Sequence, residues 1–268
     1  MNVQRTWPVE KPTALNPLNR IARYRGAIEL GWYDFITRFR RAYFGPLWIT
    51  FQLGIWVGTL SLVLADALGD NFGSYIVYLA IGFFTWEYIS GVVGDAPVNF
   101  TSRDVLLKNI PIRLSYLTIR KLSYLFSRSL FQLPVPALVV LFYGNIENPL
   151  LILVLIPLLF FLACFGYGCL VIMGVIGALY RDIAFLNTSI LRFLFFTSPV
   201  FWRGDEGIRK LISIYNPVAH FLNIARAPFE GYVPSMTAWL VVGGCSLFSL
   251  ALAIWVQSTF RNRLIYWL

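Results

Sequence analysis

The chain has 268 residues, of which 58% are hydrophobic and 13% are charged, and its formal net charge is +9. An average soluble domain is about 25% charged, so this composition, with a mean hydropathy of +0.67, excludes a water-soluble globular protein and indicates an integral membrane protein. The basic residues lie between apolar runs, a distribution that fits membrane orientation better than nucleic-acid binding.

The first predicted elements are a tail, residues 1–19, and an amphipathic interface helix, residues 20–46. Between Ile21 and Tyr43 the apolar residues recur at spacings of three and four, which places them on one face of a helix. The other face is rich in arginine, a pattern typical of a helix that lies in the membrane interface beside anionic headgroups. These residues alone fit a simple membrane anchor at least as well as a partner-binding surface.

Six apolar stretches in residues 47–268 are each near the length of about 20 residues that a membrane-spanning helix needs. They cover about residues 47–66, 75–94, 123–143, 149–178, 184–202 and 236–257. The sequence therefore predicts an all-α domain of six transmembrane helices. The fourth stretch lies within an uncharged segment, Asn148–Tyr180, which as a straight helix is about 50 Å long against a hydrocarbon core of about 30 Å. It must tilt, project into the cytoplasm or break near Pro157.

The arginine and lysine residues predict the orientation of these spans. Basic loops stay on the cytoplasmic side, and an orientation with both termini cytoplasmic places most of the 22 basic residues there. Residues 203–235 then lie outside. That segment alternates charged and apolar residues and contains three prolines, which favours two short extracytoplasmic helices over an ordered loop.

A further helix signal falls in the cytoplasmic loop after the second span. Thr101 and Asp104 resemble a helix capping box, and apolar residues follow before Pro111. Such a short helix at the end of a loop can insert into a groove of another protein. A plain surface turn fits the same residues.

Aromatic residues make up 17% of the chain, and aromatic rings stack on the apolar faces of sugar rings. The candidates for lining a glycan path are Trp48, Trp56, Phe83, Phe84, Trp86, Tyr88, Phe193, Phe195, Phe196, Phe201 and Trp202. Tryptophan and tyrosine also gather at membrane interfaces, and phenylalanine is common on lipid-facing helices, so a lipid contact is the alternative for each of them.

Two charges and two glycines within the spans are further candidates. Glu87 and Arg192 are costly in a bilayer, and counted along their helices they reach a similar depth. The sequence therefore suggests that they pair or jointly face a polar path; separate snorkelling to the membrane surface is the alternative. Gly54 and Gly58 form a Gly-x-x-x-Gly pair that lets two first spans pack closely, although packing within one chain explains the pair equally well.

The chain lacks the sequence signs of an enzyme. No Gly-x-x-x-x-Gly-Lys-Ser/Thr, His-Glu-x-x-His or Gly-x-Ser-x-Gly element occurs, and His220 is the only histidine. The three cysteines are odd in number and lie in apolar runs, so we expect neither a disulfide framework nor a metal site. We expect no catalytic residue and no cofactor in this chain, and a transporter driven by a separate partner is favoured over an enzyme.

Four short motifs carry a resemblance to a known family. They are Arg40–Trp48 at the first span, Lys108–Pro111 in the following cytoplasmic loop, Tyr180–Asp182 and Tyr215–Pro217. In their order relative to the six spans, the chain resembles the ABC-2 type permeases that export polysaccharides. The resemblance is strongest to the membrane subunits of O-antigen or lipopolysaccharide exporters, with capsule and teichoic acid permeases as relatives.

The resemblance implies a homodimer in the cytoplasmic (inner) membrane that moves lipid-linked polysaccharide. Two separate ATPase subunits would bind ATP and magnesium, and the interface helix and the loop after the second span would dock on them. The candidate docking residues are Arg38, Arg40, Arg41, Arg103, Asp104, Leu106 and Lys108. The resemblance also implies that the two short outer helices gate the exit.

Two alternatives stay open. An ABC-2 permease for drugs, lipids or another small amphipathic molecule shares the six spans and the docking elements. A membrane enzyme or assembly factor acting on lipid-linked sugars would need charged residues clustered at one membrane face, whereas the sequence shows only scattered ones such as Asp205 and Glu206.

Overall fold

The computed structural model describes residues 17–67, 71–103, 113–144, 146, 148–204 and 207–260, and all regular structure in these ranges is helical. The α-helices are α1 (Pro17–Arg38), α2 (Leu47–Ala67), α3 (Phe72–Asp95), α4 (Leu114–Gln132), α5 (Pro134–Tyr143), α6 (Leu155–Leu179), α7 (Ile183–Thr197), α8 (Gly207–Tyr215), α9 (Pro217–Glu230) and α10 (Met236–Phe260). Most of the predicted tail, residues 1–16, lies outside the described ranges.

Five helical segments in the described residues are long and apolar enough to cross a membrane. They are Leu47–Asp66, Phe72–Asp95, Leu114–Tyr143, Pro149–Leu179 and Met236–Phe260. The chain is therefore a multi-pass membrane protein, as the sequence predicts. The remaining predicted span, residues 184–202, contains only α7, which has 15 residues and stops at Thr197.

Helix α3 is the centre of the bundle. It packs against α2, α4, α5, α6, α7 and α9. In an apolar stretch of 18 residues within α3, 72% is buried inside the protein, compared with 17–28% in the corresponding stretches of the other four spans. A helix that is apolar all round belongs in the interior of a large protein or in a membrane, and α3 takes the interior place. The other spans keep broad apolar faces exposed, which are available to lipid or to another chain.

The third span begins earlier than the sequence predicts, at Leu114 instead of near residue 123. Its first turns are amphipathic, so hydropathy alone leaves them in the loop, yet α4 packs along α1. The span changes from α4 to α5 at Leu133 and Pro134. Proline causes this break because it has no N–H for the helical ladder and its ring crowds the preceding turn.

The long fourth stretch does not break near Pro157. It forms a 3₁₀ turn over Pro149–Val154 and continues as α6 to Leu179. Pro157 lies in the first turn of α6, where a backbone N–H has no intrahelical acceptor. The helix therefore runs through the proline, and the change of helix type falls before it.

Helix α1 is fastened along α4 by an ion pair and by close packing. The Asp34 carboxylate accepts two hydrogen bonds from the Arg120 guanidinium, at 2.7 Å from Nε and 2.6 Å from Nη2. The backbones approach so closely at Gly31 that a Cβ there would lie 2.3 Å from the carbonyl oxygen of Arg120. Ser123 Oγ also donates to the carbonyl of Ile28 at 2.8 Å. A bidentate charged pair fixes orientation as well as distance, so α1 has one register on α4.

The predicted apolar face of α1 is only partly covered. Phe35 is buried and its ring packs against that of Phe131, whereas Trp32 stays exposed. The helix ends at Arg38 instead of near residue 46, and the chain reaches α2 through Gly45, which has a φ of 55°. Glycine adopts that left-handed conformation without the steric penalty of a Cβ.

We expect Asp34→Asn to loosen α1 from α4. The substitution leaves the partly buried Arg120 guanidinium without its anion, and hydrogen bonds to charged groups are worth about 1.5–3 kcal/mol. Hydrogen exchange of the α1 amides in lipid nanodiscs should therefore rise about tenfold or more. The matched control is Arg25→Gln, because Arg25 pairs with Glu29 on the same exposed helix. Equal exchange in the two variants would contradict the fastening role.

Candidate functional site

The short helix α7 ends before the end of the span predicted over residues 184–202. Its 15 residues make a helix about 22 Å long, which is less than the hydrocarbon core of about 30 Å. From Ser198 to Gly204 the chain continues without helix. Non-helical backbone is tolerated within a membrane protein only where other protein groups satisfy its N–H and C=O groups. The residues that satisfy this segment build the candidate site.

Two tyrosines in the first turns of α3 hold the segment. The Tyr75 hydroxyl donates to the carbonyl of Phe201 at 2.7 Å. The Tyr78 hydroxyl lies 3.1 Å from the carbonyl of Pro199 and 2.7 Å from that of Trp202. The start of α3 therefore lies beside the non-helical segment Ser198–Gly204.

Asn216, in the motif Tyr215–Pro217, joins the end of α7 to the start of α9. Its side-chain amide donates to the carbonyl of Thr197 at 3.1 Å. Its Oδ1 accepts the backbone N–H of Val218 at 2.9 Å as the N-cap of α9. An N-cap asparagine followed by proline at the first helical position is a strong helix start, so one residue both begins α9 and anchors α7.

Arg226 of α9 is the central cation of the site. Its side chain donates to the carbonyls of Tyr78, Pro199 and Val200 at 3.1, 2.8 and 2.9 Å. The guanidinium lies 3.5 Å from the centre of the Tyr78 ring, and the residue is 3% exposed. Burial lowers the pKa of Arg226, but an arginine stays protonated in a protein. Sequence reasoning counted Arg226 only among the outer basic residues and missed this role.

Because Gly82 of α3 has no side chain, the Arg226 guanidinium can pack directly against the backbone of α3. A Cβ at this position would lie 1.9 Å from Nη2 of Arg226 and 2.9 Å from the carbonyl oxygen of Val200. A glycine within an apolar span and an arginine within an apolar helix are each visible in the sequence. Their contact is not, because it depends on how α9 folds back onto α3.

A cavity of about 370 Å³ opens beside Arg226. Its walls come from α3, the segment Pro199–Gly204, α8, α9 and the residues that follow α9. Three cations line it, Arg203, Lys210 and Arg226, together with Glu230, which lies 3.6 Å from Arg203. The structure confirms two short helices between the last two predicted spans, and they enclose a basic cavity.

A second polar site lies further along α3 and corrects the expected pairing of Glu87 with Arg192. Glu87 forms a salt bridge with Arg128 of α4 and accepts a hydrogen bond from the Gln132 amide at 3.3 Å. Arg192 is exposed on α7. Sequence reasoning paired Glu87 only with Arg192 and did not consider Arg128, although residue 128 lies within the predicted third span, so this partner was missed.

The aromatic candidates fall into two groups. One group is buried or half-buried within the chain's own core: Phe83, Phe84, Trp86, Tyr88, Phe195, Phe201 and Trp202. The other group is exposed on α2 and α7: Trp48, Trp56, Phe193 and Phe196. Only the second group presents open aromatic faces on this chain.

Gly54 and Gly58 are not used for close packing within the chain. Among the described atoms, a Cβ at Gly58 would meet nothing within 4 Å, and one at Gly54 would meet only Val135, at 3.8 Å. Within the described residues Gly54 therefore makes one ordinary contact with the chain's own Val135, and the two explanations of the pair both stay open. This face of α2 stays open to lipid or to a second copy.

The residues predicted to dock an ATPase lie in two regions of the chain. Arg38 donates to the Tyr124 hydroxyl, and Arg40 and Arg41 are exposed in the turns between α1 and α2. Arg103 ends the short 3₁₀ turn that begins at Thr101. Outside the described residues lie Asp104, Leu106 and Lys108. The short helix expected at these positions stays a prediction.

The chain is similar to known proteins along most of its length. Residues 27–230 match the family described as ABC-2 type transporter. Over 254 residues, 92% of this chain and 95% of the relative, the chain is 21% identical to the O-antigen export system permease protein RfbA of Myxococcus xanthus. The region that matches the family contains Glu87, Arg128 and Arg226, and therefore both polar sites.

We expect Gly82→Ala to destabilise the protein by about 1–3 kcal/mol, the usual cost of overpacking. The added methyl group must displace Arg226 from the carbonyls that it holds. Thermal unfolding of the detergent-solubilised protein measures the effect. Gly244→Ala on α10 is the control, since a Cβ there meets nothing within 4 Å among the described atoms, and equal unfolding temperatures for the two variants would contradict this account.

The ion pair between Glu87 and Arg128 can be tested by substitution. Glu87→Gln and Arg128→Gln should each lower the unfolding temperature, because each leaves one partly buried charge without its partner. The double exchange Glu87→Arg with Arg128→Glu should recover part of the loss. Arg192→Gln should have no comparable effect. A loss with Arg192→Gln as large as with Arg128→Gln would restore the pairing suggested by the sequence.

Proposed function

Because this chain belongs to the ABC-2 type transporter family, we propose that it is the membrane subunit of an ATP-driven exporter of lipid-linked polysaccharide. The proposed substrate is of the O-antigen or lipopolysaccharide type. The observation that carries this proposal is the similarity, over nearly the whole length of both chains, to an O-antigen export permease. Separate ATPase subunits bind ATP and magnesium, and this chain forms the path across the cytoplasmic membrane.

The exposed aromatic faces support a path between two copies of the chain. Trp48 and Trp56 on α2, and Phe193 and Phe196 on α7, are exposed, whereas the aromatic residues of α3 are mostly enclosed. Aromatic rings bind the apolar faces of sugars without a fixed charge pattern. A path lined in this way suits a long chain that must slide past the same residues.

Two ion pairs at one end of the bundle support coupling to a docked ATPase. Arg120 of α4 holds Asp34 of α1, and the next residue, Lys121, pairs with Asp95 at the end of α3 at 2.6 Å. A force applied to α1 by a docked ATPase is therefore passed through α4 to α3. Because α3 is about 36 Å long, the same helix carries that force to Tyr78 at the other end.

The proposed orientation places both termini in the cytoplasm. Arg40 and Arg41 then face the ATPase, and α8 and α9 lie on the outer side, where the non-helical end of the fifth span meets them. The basic residues near α1 support this orientation. In it, the cavity beside Arg226 opens at the exit of the path.

Copurification with the candidate ATPase tests the function. In lipid nanodiscs we expect a stable complex whose ATPase rate rises when lipid-linked glycan is added. An ATPase variant without its phosphate-binding lysine should form the complex but show no stimulated hydrolysis. Failure to bind any ATPase would overturn the transporter assignment and favour a membrane enzyme acting on lipid-linked sugars. An ATPase rate that rises with small amphipathic drugs but not with glycan would show that the substrate is a small amphipathic molecule.

The proposed homodimer interface can be tested at Gly58. Gly58→Leu should weaken dimers in nanodiscs, because it places a large side chain on the open face where two first spans would approach. The control is Gly244→Leu on α10, which is also surrounded by open space. Single-molecule photobleaching counts the subunits. Equal dimer fractions in the two variants would show that the Gly54 and Gly58 face is not the interface.

A further inference from the structure

The cavity beside Arg226 has the dimensions of a small-molecule site. Its volume of about 370 Å³ lies within the range of about 300–1,000 Å³ that is typical of ligand pockets. Its walls belong to five parts of the chain, and the hydrogen bonds of Arg226, Tyr78 and Asn216 fix three of them against one another. The cavity is therefore a consequence of the fold and not of one loose loop.

The charges that line the cavity favour an anion. The hydrogen bonds of Arg226 go to three neutral carbonyl groups, and the carboxylate near it, Glu230, also pairs with Arg203. Arg203 lies 4.7 Å from the centre of the same Tyr78 ring, and Lys210 faces the cavity from α8. Among the described lining residues only Glu230 is acidic. A buried cation in low dielectric attracts an anion more strongly than one in water.

The neutral groups of the cavity suit a sugar. Ser213, Asn223 and Ser235 offer side-chain hydroxyl and amide groups, and Tyr232 donates from its hydroxyl to the carbonyl of Asn223 at 2.9 Å. Burial raises the pKa of Tyr232, so its hydroxyl stays protonated and adds no negative charge. Hydroxyl-rich ligands use such mixed donors and acceptors.

We infer that this cavity binds an oxyanion, a phosphate or a carboxylate, carried on the sugar chain. The inference rests on the proposed function, because export is what brings an anionic glycan to this site. Arg226, Arg203 and Lys210 supply the positive charge, and Tyr78 positions both arginines. The cavity is thereby a specificity site for charged glycans, separate from the aromatic faces of α2 and α7.

Direct binding of small probes tests the inference without ATP or transport. The full chain is placed in nanodiscs of phosphatidylcholine, and glucose 1-phosphate, glucuronate and glucose are titrated by microscale thermophoresis. We expect the two anions to bind and glucose to bind at least about tenfold more weakly, with an affinity for the anions that falls as salt is added. Phosphatidylglycerol in the disc tests the other source of an oxyanion, a lipid headgroup. If that lipid competes with the two sugar anions, the cavity is an oxyanion site whose ligand is a lipid headgroup.

Neighbouring residues of α8 provide the matched variants. Lys210 and Arg209 are both exposed, but only Lys210 lines the cavity. Lys210→Gln should lower the binding affinity for glucose 1-phosphate about fivefold, the upper range for an exposed charge pair. Arg209→Gln should leave that affinity unchanged. Glu230→Gln should raise it by a similar factor. These variants avoid Arg226, whose loss also removes three structural hydrogen bonds.

Two results would overturn the inference. One is binding of glucose as tight as that of glucose 1-phosphate, and the other is an equal effect of Lys210→Gln and Arg209→Gln. Neither result bears on whether the chain assembles with an ATPase. Conversely, absence of an ATPase complex together with Lys210-dependent anion binding would remove the export function and keep the anion site.

Discussion

The need to satisfy backbone carbonyl groups away from water governs this structure. Helix α7 stops at Thr197, and the chain continues without helix to Gly204. A carbonyl buried away from water without a donor costs several kcal/mol. Tyr75, Tyr78 and Arg226 donate to the carbonyls of this segment, and Asn216 donates to that of Thr197 just before it. These donors in turn fix the position of α9, the closeness of Gly82 and the cavity between them.

Helix α3 can serve as the scaffold because it is enclosed on nearly all sides. Its tyrosines hold the unwound segment near one end, Glu87 binds Arg128 in the middle, and Asp95 binds Lys121 at the other end. Polar groups of this kind are stable in a membrane only when they face protein partners. The neighbouring spans can therefore devote their outer faces to lipid, to a second copy or to substrate.

The sequence predicted what depends on composition along one helix. Hydropathy located the spans, the three-and-four spacing located α1, and the prolines with alternating polarity located α8 and α9. It failed where a partner far along the chain decides the outcome. The amphipathic start of α4 is helical because it packs along α1. Helix α7 ends early where Tyr75, Tyr78 and Arg226 donate hydrogen bonds to the carbonyl groups of the non-helical segment that follows it. Glu87 pairs with Arg128 and not with Arg192. The role of Arg226 was invisible for the same reason, since its ligands are backbone atoms that any sequence possesses.

The contact between α1 and α4 also sets an order of assembly during synthesis. Asp34 and Gly31 emerge early, but their partners Arg120 and Ser123 belong to the third span. While the ribosome has completed only the first two spans, the partners of α1 on the third span do not yet exist. The exposed Trp32 of α1 suits the boundary between lipid and water during that interval.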